Sequence, residues 1–98
     1  MSAKTLALIR ELVRLGRYDM TAHAVEEMAE DNLRIVDIES AVYTGAIVRT
    51  ESGDRRGTKY IIAGYAEDQL TPVGVVGRFR GDERYLVITV YEITPLDR

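Results

Sequence analysis

Val36-Asp37-Ile38-Glu39-Ser40-Ala41-Val42-Tyr43-Thr44-Gly45-Ala46-Ile47-Val48-Arg49-Thr50 carries the change of period that decides the fold. Up to Thr44 the apolar residues Ile38, Ala41 and Val42 recur at helical spacing and form one face. Gly45 closes that helix. From Ile47 onward the pattern alternates with period 2, as a strand does. Helices followed by a run of strands read as α+β, with the helices packed on one face of the sheet.

Toward the N-terminus two more helices are expected. Leu6, Ile9, Leu12 and Val13 share one face, with Arg10, Glu11 and Arg14 opposite. This predicts a helix over about 3–15, with Ser2 as N-cap and Gly16 at C′. Thr21 caps a second helix that runs to about residue 30 and buries Ala24, Val25 and Met28. Asn32 suits a left-handed exit. The third helix covers 36–44.

Toward the C-terminus the alternation predicts four strands, at 47–50, 59–64, 73–80 and 85–91. Residues 51–57 are a turn rich in glycine and polar residues, 66–72 a polar connection stopped by Pro72, and 81–83 a tight turn. Short connections make neighbouring strands antiparallel. The expectation is therefore one domain over 1–98: two or three helices within about 3–44, packed on a four-stranded antiparallel sheet within 46–92. Alternation places Leu86, Ile88 and Val90 on one face of the last strand and Tyr85, Val87, Thr89 and Tyr91 on the other. Val73, Val75 and Phe79 oppose Val76, Arg78 and Arg80 on the strand before it. With the aliphatic rows against the helices, Arg78, Arg80, Tyr85 and Tyr91 would lie on the open face.

Composition narrows the chemistry. The chain has 98 residues, 46% of them hydrophobic and 30% charged, enough for one modest core and a well-solvated surface. With no cysteine there is no disulfide, thiolate metal site or cysteine nucleophile, and one histidine does not make a structural zinc site. No metal and no cofactor is expected. Arg10 and Glu11 interrupt the apolar run 6–13, so neither a signal peptide nor a membrane span is expected, and a cytoplasmic location is. Residues 1–45 hold 5 Lys/Arg and 8 Asp/Glu, whereas residues 46–98 hold 8 of each. An acidic chain is not a general nucleic-acid binder, so any RNA contact must use a local arginine patch, such as Arg55-Arg56 or Arg78-Phe79-Arg80.

The spacing Thr21-x-His23-Ala24-x-x-x-Met28, then Asp37-Ile38-Glu39-x-Ala41 and Gly45, resembles the family catalogued as domain of unknown function 4258. Lys59-Tyr60-Ile61-Ile62-x-Gly64 and Ile88-Thr89-Val90-Tyr91 agree with it. That family looks like a small member of the RelE-like toxin and colicin-type ribonuclease group. The resemblance implies a RelE-like fold, metal-independent cleavage of RNA, and an antitoxin protein as partner. Glu27 and Asp31 are acidic where such proteins often carry arginine.

Metal-free ribonucleolysis needs a base for the 2′-hydroxyl, cations for the phosphorane and an acid for the leaving oxygen. His23, then Arg78 or Lys59, then Tyr91 have the chemistry for these roles in order. Arg80, Arg55 and Arg56 are further candidates for substrate binding. Each has a structural alternative. His23 at a helix N-terminus is either a base or a half-buried residue bonded to backbone. The arginines and Lys59 are either phosphate ligands or a solvated strand face, and Tyr91 either an acid or a sheet cover. Glu26, Glu27, Glu30 and Asp31 form an acidic cluster, read as a solvated face or a site for a basic partner. The competing function is a catalytically silent interaction domain of the same fold. An exposed edge at 47–50 or 85–91 offers a route to a homodimer.

Overall fold

The computed structural model describes residues 2–81 and 83–94. The elements run α1 (Ser2–Arg14), β1 (Tyr18–Met20), α2 (Ala22–Glu30), α3 (Ile35–Thr44), β2 (Ala46–Glu51), β3 (Lys59–Tyr65), β4 (Pro72–Arg80) and β5 (Arg84–Glu92). The class is α+β, with three helices and one sheet.

The sheet has five strands, not four, in the order β1-β5-β4-β3-β2. β2 to β5 form the expected antiparallel meander. The additional strand, β1, lies parallel to β5, with Tyr18 opposite Tyr85 and Met20 opposite Val87. Three residues are too short to show an alternation, so only tertiary pairing makes Tyr-Asp-Met a strand.

The helix ends follow from local chemistry. α1 stops at Gly16 (φ 74°), where the Arg17 N–H donates to Leu12 O at 2.8 Å and the Gly16 N–H to Val13 O at 3.0 Å. This double closure needs a left-handed residue, and glycine adopts one without strain. Asn32 (φ 57°) closes α2 in the same way, with bonds from Leu33 N–H to Met28 O and Asn32 N–H to Ala29 O. At the start of α3 the buried Asp37 carboxylate accepts the Arg34 N–H at 2.9 Å through one oxygen. Its other oxygen accepts the Glu67 N–H at 3.0 Å, so one side chain ties α3 to the β3–β4 connection. Arg10 does not sit idle on an outer face: its guanidinium donates to Val42 O (3.0 Å) and Gly45 O (2.7 Å), the carbonyls left open at the end of α3.

The core joins Ile9, Leu12 and Val13 of α1, Ala24 of α2, and Ile38, Ala41 and Val42 of α3 to Ile62, Val73, Val75, Tyr85, Val87 and Val90 of the sheet. Val25, expected in this core, is 46% exposed, because α2 turns only Ala24 and Met28 toward it. α3 lies close against β3. A Cβ on Gly64 would overlap the backbone of Ala41, and one on Gly45 would stand 2.5 Å from Ala63 O.

The face assignment on β5 changes partway along the strand. Val76 pairs with Thr89 but Gly77 pairs with Val87, so Ile88 is an extra residue and reverses the phase. Tyr85 and Val87 face the helices before the bulge, and Val90 faces them after it. Tyr85 is therefore not on the open face: its ring is fully buried, edge-on to Phe79 with centroids 5.3 Å apart. Its hydroxyl has no hydrogen-bond partner among the described residues, and burial pushes its pKa up. A buried hydroxyl without a partner is destabilising. Tyr85→Phe is expected to raise stability by about 1 kcal/mol in urea unfolding, and a loss of stability would reveal a partner for the hydroxyl.

The bulge is fixed from outside the sheet. The Thr21 hydroxyl donates to Ile88 O at 3.0 Å and accepts the Ala24 N–H at 3.0 Å, so it caps α2 and holds the bulge together. Thr21→Ala is expected to cost about 2 kcal/mol, the upper end for a cap, and Thr21→Ser should recover most of it. A loss of only a few tenths would show that the bulge does not depend on this bond.

Candidate nucleic-acid interface

Among the described residues the helices pack on the core side of the sheet, and none packs on the face that carries Arg78, Leu86 and Tyr91. Pairing explains what gathers there. Phe79 and Tyr85 are opposite each other and face inward, so the neighbouring pair, Arg80 and Arg84, faces outward. Arg78 pairs with Leu86, and Leu86 pairs with Asp19 on β1. The 52–58 loop between β2 and β3 adds Arg56, whose carbonyl oxygen accepts an N–H of Arg78 at 3.2 Å. The result is a cleft of about 580 Å³ lined by Asp19, Arg56, Arg78, Phe79, Arg80, Gly81 and Arg84.

Four guanidinium groups and one carboxylate line this cleft, and with Asp54 bonded to Arg56 from outside the lining it is still net positive in an otherwise acidic chain. Asp19 offsets part of the charge. Arg84 binds Asp19 with two bonds of 2.9 Å, and Arg80 reaches it at 3.5 Å. The Arg84 fork holds the Asp19 carboxyl below its ordinary pKa, so it is ionised at neutral pH. Arg56 is bonded instead to Asp54, and Arg78 to the Arg56 carbonyl. Each guanidinium has five N–H donors and spends one or two on these bonds, so the remaining donors suit the oxygens of a phosphodiester.

A smaller pocket of about 100 Å³ adjoins the cleft. Thr21, Asp54, Arg56, Lys59, Arg78, Leu86 and Ile88 line it, so Arg56 and Arg78 belong to both. Lys59 stands 3.9 Å from Asp54 Oδ2.

The sequence-derived candidates divide accordingly. Arg56, Arg78 and Arg80 meet in the cleft, and Lys59 joins Arg56 and Arg78 in the adjoining pocket. Arg55 lines neither and is exposed. Tyr91 is on the open face, its ring over Gly74, away from both linings. His23 lies in the first turn of α2, its side chain 64% exposed, with Nε2 3.2 Å from Glu27 Oε2. It too lines neither cavity. The periodicity reading overlooked Arg84 and Asp19. A three-residue turn after Arg80 already implies that Arg84 stands opposite it.

The acidic cluster is only partly a solvated face. The other oxygen of Glu27 accepts the Val90 N–H at 3.1 Å, and Asp31 accepts the Glu92 N–H at 2.8 Å. Beyond the end of β1, these carboxylates take the β5 edge donors that a further strand would otherwise bind.

Among the described residues no group of His, Cys, Asp or Glu is placed to hold a metal ion, and no helix is long and apolar enough to cross a membrane. No curated protein and no solved structure matches the chain. The features that organise the fold are the Thr21 cap on the bulge, the Asp37 tie, the close contact at Gly64 and the carboxylates along β5. They all fall within residues 20–92, the span matched by the model of the domain of unknown function DUF4258, and the chain belongs to that family.

Proposed function

We propose that this domain acts on RNA as a RelE-like, metal-independent ribonuclease of a toxin–antitoxin pair, taking the sugar–phosphate backbone in the arginine cleft. The observation that carries this reading is the gathering of Arg56, Arg78, Arg80 and Arg84 around one cavity on the helix-free face of the sheet. In an acidic chain, this local field favours a polyanion. In cleavage, the same guanidinium groups would stabilise charge developing on the phosphorane. A strand laid along the cleft and the adjoining pocket arrives at Thr21, two residues before His23, where the free N–H groups of the α2 N-terminus also favour phosphate.

One observation favours the silent interaction domain instead: His23 is paired with Glu27 and stands outside the walls of both cavities. Incubation with labelled single-stranded RNA in EDTA separates the two. Cleavage by the wild type, lost in His23→Ala and in Arg78→Ala/Arg84→Ala, supports the ribonuclease. Binding without cleavage would keep RNA as ligand and remove the catalytic role. Absence of both from a folded protein overturns the assignment to RNA and supports the silent protein-interaction domain.

A further inference from the structure

We propose that the small pocket beside the arginine cleft is a ribose subsite in which Asp54 accepts a hydrogen bond from a 2′-hydroxyl, so that the domain selects RNA over DNA. The inference rests on the reading of the cleft as the backbone site.

Size sets the first limit. At about 100 Å³ the pocket is well below the roughly 300 Å³ at which small-molecule sites begin, so it takes a fragment of a nucleotide. Its surfaces set the second. Leu86 and Ile88, both half-buried, offer an apolar floor to a sugar ring. Asp54 sits in the wall, with its side chain 24% exposed. A carboxylate there offers an acceptor to a hydroxyl donor, while Arg56, Arg78 and Lys59 around it suit the phosphates that flank a sugar. Cleft and pocket thus match the alternation of phosphate and sugar along a strand.

Asp54 is held as an acceptor. Its Oδ1 takes the Arg56 N–H at 2.8 Å and Nε at 3.2 Å, and its Oδ2 takes Nη2 at 3.2 Å. Lys59, at 3.9 Å, is an ion-pair neighbour and not a hydrogen-bond donor, so Oδ2, which accepts one bond from Arg56, keeps acceptor capacity. Bonding to Arg56 lowers its pKa to about 2. Such a carboxylate is too weak a base to remove the 2′ proton, but it is a constant acceptor. Deoxyribose lacks the donor, and the 2′-hydroxyl is the group by which a protein distinguishes RNA from DNA.

The test compares the affinities of one sequence as RNA and as single-stranded DNA. Wild type is expected to favour RNA by about tenfold, the effect of one hydrogen bond to a charged group. Asp54→Ala should bring the ratio close to one, whatever it does to overall affinity. Asp54→Asn replaces the charged acceptor by a neutral amide with one oxygen and should retain only part of the preference. Methyl resonances of Leu86 and Ile88 should shift with an RNA dinucleotide and not with inorganic phosphate. Equal binding of RNA and DNA by the wild type, or a ratio unchanged in Asp54→Ala, overturns the subsite and leaves the cleft intact. If neither nucleic acid binds, the cleft reading fails and the subsite fails with it.

Discussion

Gly64→Ala is expected to lower folding stability by about 3 kcal/mol and the melting temperature by roughly 15 °C. The added Cβ would overlap the oxygen, carbonyl carbon and Cα of Ala41. These are backbone atoms of α3, so no side-chain rotation relieves the contact and the helix itself must move away from β3. That movement would disturb Ile38 and Val42, both almost fully buried. Two comparisons make the result specific. Ala41→Gly should not rescue Gly64→Ala, because trimming a methyl group leaves the overlapping atoms in place. Gly74→Ala should cost less, since the atoms its Cβ meets are the Tyr91 ring, which can swing aside. Denaturant melts of the four proteins decide the matter. A Gly64→Ala variant within about 1 kcal/mol of wild type would mean that α3 shifts easily and that the contact does not fix the fold.

For RNA, the largest effect belongs to Arg78→Ala/Arg84→Ala. Affinity for single-stranded RNA should fall about a hundredfold at low salt, and the slope of log affinity against log salt should flatten by about 1.4, or 0.7 for each lost phosphate contact. Arg84 counts twice: its removal also leaves Asp19 facing the ligand without its two-bonded partner. Both side chains of that ion pair are over a third exposed, and such pairs contribute little to folding, so the melting curve should hardly change. Arg78→Lys/Arg84→Lys should restore the slope, which counts charge, but only part of the affinity, which also reflects paired donors. An unchanged slope in the alanine variant would place the RNA elsewhere on the surface.

The two predictions probe features of unequal visibility in the sequence. The change of period at Gly45, the cap at Thr21 and the left-handed exit at Asn32 were legible because each is a local property of a few residues. Two architectural features depended on long-range pairing and were not. β1 is a strand only because β5 lies beside it. The Ile88 bulge inverts half of β5, which put Tyr85 on the wrong face in a reading by strict alternation. The family spacing reads largely as architecture. Thr21 holds the bulge, Asp37 ties α3 to a loop, Glu39 accepts the Tyr18 hydroxyl at 2.6 Å, and Ala41, Gly45 and Gly64 permit a close approach. The arginine cleft was half legible: Arg78 and Arg80 stood out as a cluster, whereas Arg84 and Asp19 came to it through strand register.

The bonds from Val90 and Glu92 to Glu27 and Asp31 make the two ends of the sheet unequal. At one end, a strand of three residues is continued by carboxylates that occupy the donors an incoming chain would need. At the other, β2 is open along Ala46–Glu51, with Val48 62% exposed. A short edge interrupted by carboxylates is a poorer template for an added strand than a long open one. Growth strand by strand into a fibre needs two open edges on every copy. Two acidic side chains, one helical turn apart, thus shorten the strand edge offered at that end to the three residues of β1, against six at β2.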